Sequence, residues 1–185
     1  MKISVFIATS LDGFIARLNG DIDWLVNAGD TNDPEDYGYG KFIATVNCLV
    51  MGRNTFEKVL SFPEWPYAGK RVVVISRTLN QIPEKIAGKV ELYAGPVEQL
   101  AAQLSSEGHD RIYIDGGKTV QSFLGAGLVT DMTITRIPIL IGSGLPLFGE
   151  LPGDIHLDHV ETKAFRSGFV QSHYELRKDR ISATR

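Results

Sequence analysis

Apolar residues along this chain gather in short continuous runs, separated by stretches with a helical period. Met1 to Thr9 is rich in strand formers and nearly apolar on both faces, the pattern of a central strand. Cys48 to Met51, Lys70 to Arg77, Val90 to Tyr93 and Arg111 to Ile114 are further buried-strand runs. Between them lie helical stripes: Tyr39, Phe42, Ile43 and Val46; Phe56 with Val59-Leu60; Val97, Leu100, Ala101 and Leu104 within Pro96 to Ser105; and Val120, Phe123 and Leu124. The first stripe is expected to start at Asp33 as N-cap with Pro34 in the first helical position. Leu128 to Ile141 reads as a long strand in which Pro138 marks an edge, bulge or end. Gly142 to Phe148 reads as a mobile glycine loop, and Ile155 to Lys163 with Gly168 to Leu176 as a closing antiparallel pair.

Two of the strand runs stop at glycine and pass straight into a helical pattern. Met51 is followed by Gly52-Arg53-Asn54-Thr55, and Ile114 by Asp115-Gly116-Gly117-Lys118-Thr119. At such a corner the first helical N–H groups have no partner and the helix dipole presents its positive end, so each is suited to a phosphate. Arg53 beside the first corner adds a forked cation. Two corners, each with a basic residue, suggest a ligand with more than one phosphate. Ser76-Arg77 at the end of another strand is either a polar strand exit or a hold for a phosphate on a ribose.

Composition narrows the setting without naming a chemistry. The 185 residues suit one domain, expected over 1–178 with a polar tail at 179–185, and large enough for a core of its own. A net charge of −3 gives no footprint for nucleic acid or an anionic membrane. The single cysteine, Cys48, lies in a core strand, so a disulfide framework is excluded and a cytoplasmic location is the expectation. No run approaches the roughly 18 apolar residues of a membrane helix. His156 and His159 would diverge in a strand, and no Cys-x-x-Cys accompanies them, so no metal site is expected.

Three side chains remain open between structure and chemistry. Asp12, in the Ser10-Leu11-Asp12-Gly13 turn after the first strand, is a turn former or a ligand contact. Trp24 is an exposed-loop aromatic or a pocket wall. Asp36, on the edge of the first helical stripe, is a first-turn acid favoured by the dipole or a proton-handling group in a cleft.

Taken together, Ser10-Leu11-Asp12-Gly13-Phe14-Ile15-Ala16, Met51-Gly52-Arg53-Asn54-Thr55, Val74-Ile75-Ser76-Arg77, Ile114-Asp115-Gly116-Gly117 and Gly142-Ser143-Gly144-Leu145-Pro146-Leu147-Phe148 resemble the dihydrofolate reductase superfamily. Within it the chain is most similar to the RibD C-terminal-domain type, over Ile3 to about Leu176. The resemblance implies an α/β/α sandwich on a mostly parallel sheet with antiparallel C-terminal strands, and NADPH bound across the strand ends. It implies that Gly52, Arg53, Asn54 and Thr55, with Gly116, Gly117, Lys118 and Thr119, hold the phosphates. Ser76 and Arg77 would cover the ribose 2′-phosphate, and Ala8, Thr9, Ile15 and Ala16 would line the nicotinamide pocket. Asp36 stands where a true dihydrofolate reductase carries its acid and would be the catalytic proton relay or a substrate anchor; Asp12, Trp24 and Thr135 would be substrate contacts. Lys70 replaces an arginine that grips the folate tail, which loses a bidentate clamp. The expected activity is therefore an NADPH-dependent reduction of a pyrimidine- or pterin-like heterocycle, similar to the 5-amino-6-(5-phosphoribosylamino)uracil reductases of riboflavin biosynthesis. The alternatives are dihydrofolate reductase and a catalytically silent NADPH-binding module. The zinc deaminase domain often fused to such reductases is absent from these residues, and a homodimer is expected because relatives commonly pair.

Overall fold

The computed structural model describes residues 1–28 and 35–177. In chain order the strands are β1 (Lys2–Ser10), β2 (Phe14–Ala16), β3 (Cys48–Gly52), β4 (Arg71–Ile75), β5 (Val90–Tyr93), β6 (Arg111–Asp115), β7 (Asp131–Ile137), β8 (Leu145–Pro146), β9 (Leu157–Ala164) and β10 (Val170–Leu176). The helices are α1 (Asp23–Val26), α2 (Tyr39–Ala44), α3 (Arg53–Leu60), α4 (Val97–Ser106) and α5 (Gly117–Gly125). The main sheet runs β5-β4-β3-β6-β1-β7-β10-β9. Its pairs from β5 to β7 are parallel, and β10 and β9 close it antiparallel. Every parallel strand therefore ends at the same edge, the place where an open α/β sheet offers backbone to a ligand.

Strand periodicity sorts the core into two layers. Cys48, Val50, Val73, Ile112 and Ile114 face one way, against Leu100, Ala101 and Leu104 of α4 and Val120, Phe123 and Leu124 of α5. Their neighbours Leu49, Met51, Val72, Val74 and Tyr113 face the other, against Phe56 and Val59 of α3 and the Tyr39-Phe42-Ile43 stripe of α2. Both faces of these strands are covered, which is why they are continuous apolar runs rather than alternating ones. A third cluster joins Trp24, Ile137 and Phe169 at the tip of the closing hairpin.

Three expectations are corrected. The strand expected over Leu128 to Ile141 is only Asp131–Ile137. Leu128 still belongs to the exit from α5, its N–H bonded to the Phe123 carbonyl, and Pro138 has no N–H to continue the ladder. The Gly142–Phe148 segment is not free: Leu145 and Pro146 form β8 against β2. Finally, α2 begins at Tyr39 after Gly38 at φ 82°, later than expected. Asp33 and Pro34 lie outside the described residues, as does the tail 179–185.

Phe123 is fully buried between α5 and the sheet. Phe123→Ala is expected to cost about 3–5 kcal/mol in urea unfolding, the range for emptying a packed aromatic site; a loss below about 1 kcal/mol would show that this layer collapses onto the gap.

Candidate functional site

The two glycine corners lie side by side. β3 and β6 are adjacent and parallel, with Met51 level with Asp115, so α3 and α5 start next to each other. Each helix start packs into the bare backbone of the other. A Cβ on Gly116 would collide with Thr55 Oγ1, and one on Gly52 would come 3.1 Å from Thr119 Oγ1. Gly116 also sits at φ 91°, where a side chain is strained. Neither helix has a side-chain cap on its first N–H groups.

The strand tip at Ser76-Arg77 is one strand further out, because Gly52 pairs with Ile75. Ser76 Oγ accepts the N–H groups of Thr78 at 3.2 Å and Leu79 at 2.9 Å, folding the exit back on itself. Arg53 reaches towards it and donates to Thr78 Oγ1 at 3.2 Å. Arg53, Asn54, Arg77 and Lys118 are exposed, leaving a row of donors and cations along the strand ends. On the far side of β6, β1 carries Ala8 and the buried Thr9 to the same edge. Ile15 and Ala16 of β2 follow, and Ile15 Cδ1 stands 3.2 Å from where a Gly117 Cβ would be.

Asp36 and Asp115 are shifted in opposite directions. Asp36 is exposed and spans the start of α2, its two oxygens accepting from Gly38 N–H at 2.8 Å and Gly40 N–H at 2.9 Å. Those two bonds hold its carboxyl below the ordinary range, as for a first-turn acid. Asp115 ends β6 immediately before the glycine pair. Burial pushes its carboxyl up to about 6, against the opposing pull of the Gly116 N–H at 2.8 Å. It lies on the same face of β6 as Tyr113. Tyr39 is raised to about 12, first by burial and then by Asp115, and the same causes lift Tyr67 and Tyr113. Sequence reasoning quoted Asp115 inside a motif without giving it a role. Its signal was an acid at the C-terminal end of a buried strand.

The expected substrate contacts are placed unevenly. Trp24 is buried at 4% exposure in the third cluster, not on an open loop. Its indole Nε1 is a buried polar atom with no hydrogen-bond partner among the described residues. Thr135 is buried opposite Ala8 and accepts from Gln171 Nε2 at 2.9 Å. The same Gln171 nitrogen donates to the Tyr37 carbonyl at 3.0 Å. Tyr37 holds φ 54° and stacks on Phe169 with ring centroids 4.9 Å apart. The Asp12 carboxylate is engaged by backbone of the 141–142 segment. Lys70, on the folate-tail position, donates to the Val46 carbonyl at 2.9 Å. No group of three or more metal-ligating side chains occurs among the described residues, and no described helix is long and apolar enough to cross a membrane.

Strand order, the double corner and the closing hairpin together define a dihydrofolate reductase-like α/β fold. More narrowly, the chain belongs to the RibD C-terminal domain family, whose model matches residues 1–171. It is 35% identical over 176 residues, covering 94% of this chain and 97% of the relative, to the uncharacterized protein YwjB of Bacillus subtilis (strain 168). A candidate riboflavin biosynthesis protein from Shewanella sp. PV-4 superposes with TM-score 0.90 at 41% identity, over 96% of this chain and 100% of that one. The Thermotoga maritima diaminohydroxyphosphoribosylaminopyrimidine deaminase/5-amino-6-(5-phosphoribosylamino)uracil reductase shares the fold at TM-score 0.72 and 16% identity, over 95% of this chain and 56% of that one.

The Asp115 carboxyl gives a pH signature of folding. Its folded value is raised from 3.8 to about 6, so the folded state binds this proton more tightly than the unfolded chain does. Its contribution to stability is complete below the lower value, falls as pH rises through that window, and is flat above it. Asp115→Asn should remove this descent and raise Tm above pH 7; superimposable Tm profiles would place the carboxyl in water.

Proposed function

We propose that this chain is an NADPH-dependent reductase that delivers hydride to a C=N or C=O bond of a pyrimidine- or pterin-like heterocycle. The observation that carries the reading is the interlocked pair of corners with the Ser76-Arg77 tip one strand away. Bare backbone at Gly52 and Gly116, uncapped helix starts and flanking cations suit a dinucleotide pyrophosphate. Gly52, Arg53, Asn54 and Thr55 would take one phosphate, and Gly116, Gly117, Lys118 and Thr119 the other. Ser76 and Arg77 would meet the 2′-phosphate, and Ala8, Thr9, Ile15 and Ala16 the nicotinamide end. The bound cofactor supplies the hydride; the protein supplies position and a proton.

Proton supply falls to Asp115 rather than Asp36. A carboxyl with a value near 6 keeps a protonated fraction close to neutrality, as a general acid requires. Asp36 is held ionised by its two backbone donors and is assigned to the start of α2. The Thr135 hydroxyl, which accepts from Gln171 and keeps its own proton to donate, supports a heterocycle bearing carbonyl or ring-nitrogen acceptors. Lys70, occupied by Val46, does not support a folate tail. Membership of a family of RibD-like reductases agrees with a ribosylaminopyrimidine as the nearest substrate class. Assembly as a homodimer is part of the same reading, supported by the exposed edge strand β9.

A cofactor-oxidation screen against pyrimidines and pterins tests the activity. NADPH binding without oxidation of any of them would leave only a binding module. Arg77→Ala should weaken NADPH by about tenfold, the loss of one charge-assisted contact, with little change for NADH; equal losses would remove Ser76-Arg77 from the 2′-phosphate. Asp115→Asn should lower turnover by about 10²-fold, the low end of general-acid catalysis, with NADPH affinity retained, whereas Asp36→Asn should leave turnover within about twofold. The opposite order of effects would return the proton to Asp36.

A further inference from the structure

We infer that Asp12 is a positioning residue: it clamps the 139–147 segment so that β2 and β8 form a fixed wall over the Gly117 corner, which sets the nicotinamide end of the cofactor site. The role rests on the reductase reading above and assigns Asp12 no substrate contact.

β1 ends at Ser10, and the chain reverses through Gly13 at φ 87° into β2. Within that reversal the Asp12 carboxylate accepts from the Ser10 hydroxyl at 2.6 Å. It also accepts from the N–H groups of Gly142 at 2.8 Å and Ile141 at 3.2 Å, some 130 positions away in sequence. The Ser10 hydroxyl and then these backbone donors hold the carboxyl below its ordinary value, so it is ionised wherever the protein is folded near neutrality. Ile141 and Gly142 lie between β7 and β8, where no strand ladder satisfies their N–H groups. A neutral or shorter side chain cannot receive all three donors.

What the clamp holds is continuous with the corner. Leu11 N–H donates to Ile139 O at 2.8 Å and Leu147 N–H to Gly13 O at 3.1 Å, so the two loops are tied on both sides of Asp12. Beyond the Gly13 tie, Phe14 pairs with Pro146 and Ala16 with Leu145. Gly144 packs so closely on the Ala16 carbonyl that a Cβ there would collide with it. The Pro146 carbonyl then stands 2.8 Å from where a Gly117 Cβ would be, and accepts from Gln121 Nε2 of α5 at 3.2 Å. Asp12 is thus joined through backbone to the second phosphate corner, while the first corner and the Ser76-Arg77 tip lie beyond β6 on strands that it does not touch.

That separation gives a test with a binding readout. Calorimetric titration of Asp12→Ala should show NADPH weakened by about tenfold, a shift of roughly 1.4 kcal/mol. 2′,5′-ADP, which carries the adenosine half without nicotinamide, should change by less than about twofold on the same scale. Asp12→Asn, which keeps one acceptor oxygen and the turn propensity, should fall between the unaltered protein and Asp12→Ala. Amide exchange should speed up within 139–147 in Asp12→Ala and not in α3. Equal losses of both ligands, or unchanged NADPH affinity, would overturn the role while leaving the reductase reading in place. If the unaltered protein binds neither ligand, both fall together.

Discussion

Two parallel neighbours, β3 and β6, end level with each other, and everything at the strand ends follows from that register. Because Met51 is level with Asp115, the helices that leave them start within reach of one another, and each threonine one turn in fills the space above the other's glycine. A side chain on Gly116 would run into Thr55, and one on Gly52 would press against Thr119. The arrangement also sets two helix starts without side-chain caps next to each other, with a helix dipole behind each. Such a place favours anions without any one side chain being responsible. The cations nearby then select among anions rather than create the site.

The two acids near this edge show how one residue type is given opposite tendencies. Asp36 lies in water with two backbone donors, and both donors stabilise its charge. Asp115 is held between strands, where the Gly116 N–H and the Tyr113 hydroxyl pull its carboxyl down and desolvation outweighs both. The nearby Tyr39 and Tyr67 are in turn discouraged from ionising by the charge on Asp115. A proton therefore resides more readily at the end of the buried strand than at the helix start, although the helix-start acid occupies the position that the family resemblance pointed to.

Strands buried on both faces leave an unbroken apolar run, and their junctions with helices leave glycine, so the sheet, α3 to α5 and the double corner were legible in sequence. The start of α2 was less so. Its stripe was visible, but the chain enters through Tyr37 and Gly38, both at positive φ, and no local pattern announces a tyrosine there. Trp24 was left open because its burial depends on Ile137 and Phe169, which are brought in by the hairpin. Asp12 was left between turn former and ligand contact because its partners lie at 141 and 142. The pattern of success is physical: local periodicity reports burial in layers, whereas pairings over more than a hundred residues leave no trace in any window.

The same division separates two halves of the candidate site. The half proposed for phosphates is built on sheet register and helix starts, and few side chains can alter it without disturbing the core beneath. The half proposed for substrate is assembled from segments remote in sequence: Trp24, Tyr37, Thr135 and the hairpin through Gln171 and Phe169. Gln171 binds both the Tyr37 carbonyl and the Thr135 hydroxyl, so a substitution at one of these places is felt at the other two. Tyr37 can hold its left-handed backbone because that bond and the Phe169 stack both oppose its relaxation. On the proposed reading, the first half would fix the cofactor and the second the heterocycle, so residues on the hairpin and at Tyr37 could be varied without disturbing the glycine corners.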